Sequence, residues 1–170
     1  MSAIETHLPI VKSLTFLNEG DTQAFAAKLA AQPALRQAFV ELRGDLGVGK
    51  TTLARHLLQA LGVSGRIKSP SYAIVEPYEL EDLTIWHFDF YRFNDPKEWE
   101  EAGFRDIFAS KGLKLAEWPD KASGLLPLAD LAIDLELWPD GSRHVTLSAN
   151  TATGLSLIDA IREESMGSRG

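Results

Sequence analysis

The 170-residue sequence contains no cysteine, which removes thiol nucleophiles, CxxC redox chemistry, thiolate zinc sites and iron–sulfur ligation from consideration. It also lacks any apolar run of the roughly 18 residues that a membrane helix needs. Its start, Met1 to His7, has neither the basic nor the apolar segment of an export signal. The expectation is a soluble, cytoplasmic chain with no membrane contact. Positive charge is scarce too: 17 Lys and Arg stand against 24 Asp and Glu, a formal net charge of −7. A stand-alone nucleic-acid binder carries a broad basic surface, so any role toward RNA is expected to be indirect. There is no internal repeat, low-complexity tract or linker. A composition of 45% hydrophobic residues suits one compact domain, which at this length buries roughly 70% of its unfolded surface. We expect that domain over residues 1–162. Residues 163–170 lack apolar periodicity and are expected to form a disordered tail.

The remaining pattern alternates strands and helices. Leu14 to Leu17 reads as a strand, Asn18 to Asp21 as a turn with an N-cap, and Thr22 to Ala31 as a helix with Phe25 and Leu29 on one face before Pro33. Ala38 to Arg43 suits a buried parallel strand stopped by Gly44, and Thr51 to Leu61 a helix ending at Gly62. Further strands are expected at Ser71 to Val75, Thr84 to Phe88 and Leu113 to Trp118, with a helix over Pro96 to Ala102. Leu131 to Trp138 and His144 to Ser148 flank Pro139 to Ser142 as a hairpin, and Leu155 to Ile161 suits a last helix. The expected fold class is therefore α/β and P-loop NTPase-like, with a mostly parallel central sheet flanked by helices and an antiparallel C-terminal hairpin.

Gly44-Asp45-Leu46-Gly47-Val48-Gly49-Lys50-Thr51 fits G-x-x-x-x-G-K-[ST] and falls between an expected strand and an expected helix. Glycines let backbone N–H groups face phosphate oxygens, and the helix N-terminus adds its dipole to the same anion site. Lys50 would reach the β and γ phosphates, and Thr51 offers the hydroxyl that completes magnesium coordination in such loops. Phosphoryl transfer also needs a metal-side carboxylate. Asp89 and Glu117 each close an expected strand at the edge where open α/β sheets bind ligands. Ser69-Pro70-Ser71-Tyr72 lies between the loop helix and Asp89, as a phosphate-sensing segment does. Arg66, Lys68 and Arg92 are candidate cations, with solvated surface the commoner fate of such residues. His87 reads as a strand residue rather than a base, and Trp118 as a residue that packs or stacks. Phe90, Tyr91, Phe93 and Trp99 form an aromatic stretch for which core packing is favoured over a partner surface.

Together, Gly44 to Thr52, Lys68 to Tyr72, His87-Phe88-Asp89-Phe90-Tyr91-Arg92 and Glu117-Trp118-Pro119 resemble, in order and spacing, the TsaE family of bacterial ATPases that assist threonylcarbamoyladenosine modification of tRNA. The likeness covers about residues 14–150. It implies ATP with Mg²⁺ and work alongside TsaB and TsaD, the latter transferring the carbamoyl group, so that tRNA is reached only through the complex. It implies Thr51 and Glu117 as magnesium residues, Asp89 near the metal or its water, and Lys50 on the phosphates. Trp118 and the Ser69 to Tyr72 segment, Ser71 included, would be mobile elements beside the nucleotide. Thr22 and the turn at Gly141 would lie near the adenine, and Asp45, Leu46, Gly47, Val48, Gly49 and Thr52 along the phosphates.

Two other readings share the loop. A small-molecule kinase needs an arginine-bearing lid, for which Arg92 and Arg105 could be recruited, although no arginine-rich lid segment is visible in the sequence. A nucleotide-gated binding module would use ATP as a ligand with incidental hydrolysis.

Overall fold

The computed structural model describes residues 8–67, 70 and 74–167. Strand β1 (Ile10–Phe16) leads into α1 (Glu19–Ala30), β2 (Phe39–Arg43) and α2 (Lys50–Ala60). A hairpin of β3 (Val75–Glu79) and β4 (Thr84–Asp89) follows, then the short helices α3 (Pro96–Glu101) and α4 (Phe104–Ala109). The chain closes with β5 (Leu113–Glu117), the hairpin β6 (Leu131–Leu137) and β7 (Arg143–Ala149), and α5 (Ala152–Gly167). The strands form one seven-stranded sheet in the order β1-β7-β6-β2-β5-β4-β3.

Local chemistry explains the boundaries. Asn18 caps α1 by accepting from the Asp21 N–H at 3.0 Å, and Asp95 caps α3 by accepting from the Lys97 N–H at 3.0 Å. β2 and β5 are central and enclosed on both faces, which is why Phe-Val-Glu-Leu-Arg and Leu-Lys-Leu-Ala-Glu do not alternate cleanly between apolar and polar. The sheet separates two cores. On one face Val40, Leu42, Ile85 and Leu115 pack against Phe25 and Leu29 of α1, Leu53 and Leu57 of α2 and Leu157 of α5. On the other, Phe39, Phe88 and Ala116 meet an aromatic layer of Phe90, Phe93, Trp99 and Phe104. The aromatic stretch is thus core except Tyr91, which is 44% exposed.

Several expectations need correction. The sheet is mixed rather than mostly parallel: β2–β5, β2–β6 and β4–β5 are parallel, whereas β1–β7, β6–β7 and β3–β4 are antiparallel. Short turns after β3 and β6 can only reverse the chain, and β1 then pairs with the free edge of the reversed β7. The strand expected at 71–75 has residues 71–73 outside the described residues, and β3 instead runs to Glu79 through Pro77. As the outer strand of the sheet, β3 tolerates proline. Helix α4 was not anticipated, although Phe104, Ile107 and Phe108 carry helical spacing. The last helix continues through residues 163–167, expected as tail, where Glu163, Glu164 and Met166 are good helix formers. Among the described residues, no helix is long and apolar enough to cross a membrane.

The aromatic layer generates a stability prediction. Phe88 is fully buried, with ring centroids 5.4 Å from Phe90, 4.9 Å from Phe108 and 5.5 Å from Phe104. Phe88→Ala is expected to cost about 3–5 kcal/mol of unfolding free energy in a urea titration. A loss under about 1 kcal/mol would mean that this layer does not pack as described.

Candidate functional site

The C-terminal end of β2 turns directly into the glycine loop. At Gly44 φ is 140°, and a Cβ there would fall 2.5 Å from the Leu135 carbonyl oxygen, so the turn out of the strand requires glycine. Val48 drops its side chain into the core, while Leu46 at the tip is 69% exposed. Arg143, the first residue of β7, donates from Nε to the Val48 carbonyl at 2.7 Å and ties the loop to the C-terminal hairpin. Gly49 then opens α2 with φ 106°.

Lys50 is only 5% exposed. Its ammonium donates to the Gly44 carbonyl and lies 3.4 Å from the centroid of the Trp118 ring. Burial lowers the pKa of this ammonium, while the charges of Glu117, Asp89 and Asp45 pull it back up. Trp118 holds that ring in place from a left-handed backbone, φ 56° and ψ 48°, which a tryptophan rarely adopts. Tyr91 packs on its outer side with centroids 5.0 Å apart.

Parallel pairing of β4 with β5 sets Asp89 opposite Glu117. Burial raises the pKa of the Asp89 carboxyl; the Tyr91 N–H donating to it at 3.0 Å lowers it, and the nearby Glu117 charge raises it further. Glu117 has both oxygens engaged. Thr51 Oγ1 donates to Oε1 at 3.0 Å, and His87 Nε2 lies 2.7 Å from Oε2. Among the described residues, no group of three or more His, Asp or Glu could hold a metal ion by itself. The Thr51–Glu117 oxygen separation nevertheless matches the edge of about 2.9 Å between neighbouring ligands of an octahedron with bonds of about 2.0–2.1 Å, the geometry of Mg²⁺. Mg²⁺ takes few protein ligands and leaves the remaining positions to water and phosphate oxygens, so the pair fits that ion.

These groups line a cleft of about 280 Å³ formed by Leu46, Gly47, Gly49, Lys50, Thr51, Thr52, Asp89, Tyr91, Glu117, Trp118 and Arg143. The volume lies below the roughly 300–1,000 Å³ of sites that enclose a whole drug-sized ligand. The cleft suits a phosphate chain whose remaining parts extend beyond it.

The structure thus gathers most of the expected site residues and leaves others apart. Asp45 is exposed and Val48 points inward. Thr22 is buried in α1, and Gly141 sits in the β6–β7 turn with φ 86°; neither lines the cleft. Lys68, Ser69, Ser71 and Tyr72 lie outside the described residues. Arg66 and Arg92 are exposed, and Arg105 lines a separate cleft of about 500 Å³ with Trp99 and Phe108. Sequence reasoning missed Arg143 and the partner of His87. Nothing in the spacing links Arg143 to the loop, and His87, read only as a strand residue, shares its strand face with buried Ile85.

Comparison with known proteins places the chain among relatives of one description. A model of the family described as "Threonylcarbamoyl adenosine biosynthesis protein TsaE" matches residues 16–145. The tRNA threonylcarbamoyladenosine biosynthesis protein TsaE of Haemophilus influenzae is 42% identical over 136 residues, covering 80% of this chain and 85% of the relative. The protein of that name from Bacillus subtilis is 34% identical over 133 residues, 78% of this chain and 82% of the relative. A crystal structure of Bacillus subtilis YdiB superposes with a TM-score of 0.75 at 28% identity, covering 94% of this chain and 99% of that one.

The loop geometry predicts the effect of adding one methyl group. A Cβ at Gly49 would meet Arg143 Nε at 2.9 Å on a backbone that L-residues disfavour. Gly49→Ala is expected to cost about 1–2 kcal/mol from backbone strain alone, read by chemical denaturation. It should also speed amide exchange at Val48 and Gly49 as Arg143 is displaced. Unchanged stability and exchange would contradict this loop conformation.

Proposed function

The chain belongs to the TsaE family, and on that premise we propose that it is a Mg²⁺-dependent ATPase of tRNA threonylcarbamoyladenosine formation, acting in the cytoplasm on a TsaB–TsaD complex. The observation that carries the ATPase reading is the Thr51–Glu117 oxygen pair at 3.0 Å beside the buried Lys50, where the glycine loop meets α2. Loop geometry with glycines at 44, 47 and 49 supports a P-loop phosphate site.

Each residue has a role in this reading. Backbone N–H groups from Leu46 to Thr51, with the N-terminal end of α2, hold the phosphates. Lys50 leaves the Gly44 carbonyl and the Trp118 ring for phosphate oxygens, a stronger partner for a poorly solvated ammonium. Thr51 and Glu117 would hold Mg²⁺, which when bound would supply charge neutralisation at the phosphates. Asp89, level with Glu117, would stand near the metal or its water. Trp118 and Tyr91 line the cleft beside Lys50. Phosphoryl transfer depends chiefly on positioning and charge stabilisation, and this set supplies both except for a dedicated group over the attacking water. The unaided chain should therefore turn over slowly and speed up when TsaB and TsaD order or complete the site. The kinase alternative finds little support, since Arg105 lines a different cleft and Arg92 is exposed.

The decisive measurement is phosphate release from Mg-ATP by the purified chain, alone and with TsaB and TsaD. Slow turnover that rises with the partners is expected. Removing one preorganised charge-stabilising group from such a site costs roughly 100-fold or more, so Lys50→Ala and Glu117→Gln should each lose at least that. Transfer of phosphate to a small molecule would establish a kinase instead. A hydrolysis-dead variant that binds ATP and retains full tRNA modification would establish a nucleotide-gated binder.

A further inference from the structure

His87 is a buried polar residue that phosphate chemistry does not itself require. Its side chain is 2% exposed, and Nε2 lies 2.7 Å from Glu117 Oε2. Its other ring nitrogen, Nδ1, is enclosed with no hydrogen-bond partner among the described residues. Enclosing an unpartnered ring nitrogen is unfavourable, and an aliphatic residue would fill the space without that cost, so packing alone does not account for a histidine here. The contact that distinguishes His87 is with the carboxylate. His87 lies opposite Leu115 in the β4–β5 register, two residues before the Asp89–Glu117 pair on the same face. From there it reaches Glu117 while lying outside the lining of the cleft.

Glu117 has a competing partner. Lys50 lines the same cleft, and the Glu117 charge raises the pKa of its ammonium. A carboxylate free to rotate would turn toward that ammonium, away from Thr51. We propose that His87 is a positioning residue: its Nε2–H holds Glu117 Oε2 so that Oε1 stays beside the Thr51 hydroxyl, preorganising the oxygen pair for a divalent cation. A hydrogen bond that orients a liganding carboxylate in this way is a common determinant of metal affinity. This inference rests on the reading of Thr51 and Glu117 as the metal side of the site.

The test is calorimetric titration of ATP binding against Mg²⁺ concentration, with a parallel titration in EDTA, for the full chain and three variants. His87→Leu is expected to raise the Mg²⁺ concentration at half-saturation about 10-fold. Metal-free ATP binding should fall by less than the Mg²⁺ requirement rises, and only as far as Glu117 draws Lys50 from the phosphates. His87→Gln places an amide N–H near the former Nε2 position and should restore a nearly wild-type Mg²⁺ requirement. His87→Asn, one bond shorter, should not. If His87→Leu fails to fold, as judged by circular dichroism and thermal melting, the Gln and Asn variants decide. A shared shift in both, or a shift in neither, overturns the proposal. So does wild-type Mg²⁺ dependence in His87→Leu. Absence of Mg²⁺-dependent binding in the wild-type chain would instead overturn the metal reading of Thr51 and Glu117 on which the proposal stands.

Discussion

Parallel register between β2, β5 and β4 is the constraint on which this site depends. It sets Leu42 beside Glu117 and Glu117 beside Asp89 across three neighbouring strands, so β2 ends and the glycine loop begins where the two carboxylates stand. Side chains alternate between faces of a strand, and a slip of one residue would send Glu117 into the aromatic core and bring Ala116 to the cleft. That slip is opposed from both sides: Leu113 and Leu115 belong to the aliphatic core, and Ala116 to the aromatic one. The chemistry of the edge therefore inherits its accuracy from hydrophobic packing on both faces.

Charge at that edge is arranged as competing attractions rather than isolated ion pairs. Lys50 is buried, which disfavours its charge, yet Glu117, Asp89 and Asp45 surround it with negative potential. Its immediate contacts are a carbonyl oxygen and an aromatic face, both weaker partners than a carboxylate. An ammonium that paired with Glu117 would take the lysine from phosphate and the carboxylate from metal at once. Lys50 Nζ instead lies against the Trp118 ring, presented by a left-handed backbone, and in our proposal the His87 imidazole holds Glu117. A strained conformation at such a position is typical of residues held for function by the surrounding structure.

Much of this was legible in the sequence because the signals are local. The glycine loop, its flanking strand and amphipathic helix, and the carboxylates closing β4 and β5 depend on nearest-neighbour chemistry and periodicity. What the sequence hid depends on pairing between distant segments. Arg143 reaches Val48 only because β7 runs antiparallel to β6 and returns its first residue to the loop, 95 residues along the chain. His87 meets Glu117 only through the β4–β5 pairing, so the sequence marked it as a strand residue without showing what it faces. The mixed character of the sheet was obscured for the same reason, because β1 carries no local mark that it joins the free edge of β7. Helix α4, six residues long, was lost to its brevity.

The same arrangement bears on why such a site would depend on partners. The cleft's lining includes two cations, Lys50 and Arg143, and Arg143 already donates to the loop carbonyl of Val48. An arginine committed to holding the loop is not free to stabilise charge on a transferring phosphoryl group. Asp89, the carboxylate nearest to the role of orienting water, accepts from the Tyr91 N–H, and Tyr91 in turn packs on Trp118. The water-side group and the ring over Lys50 thus belong to one connected patch whose outer member, Tyr91, is exposed. A protein surface docking on Tyr91 would press on the Asp89 loop and the Trp118 ring together, giving a partner a direct mechanical route to the rate of hydrolysis.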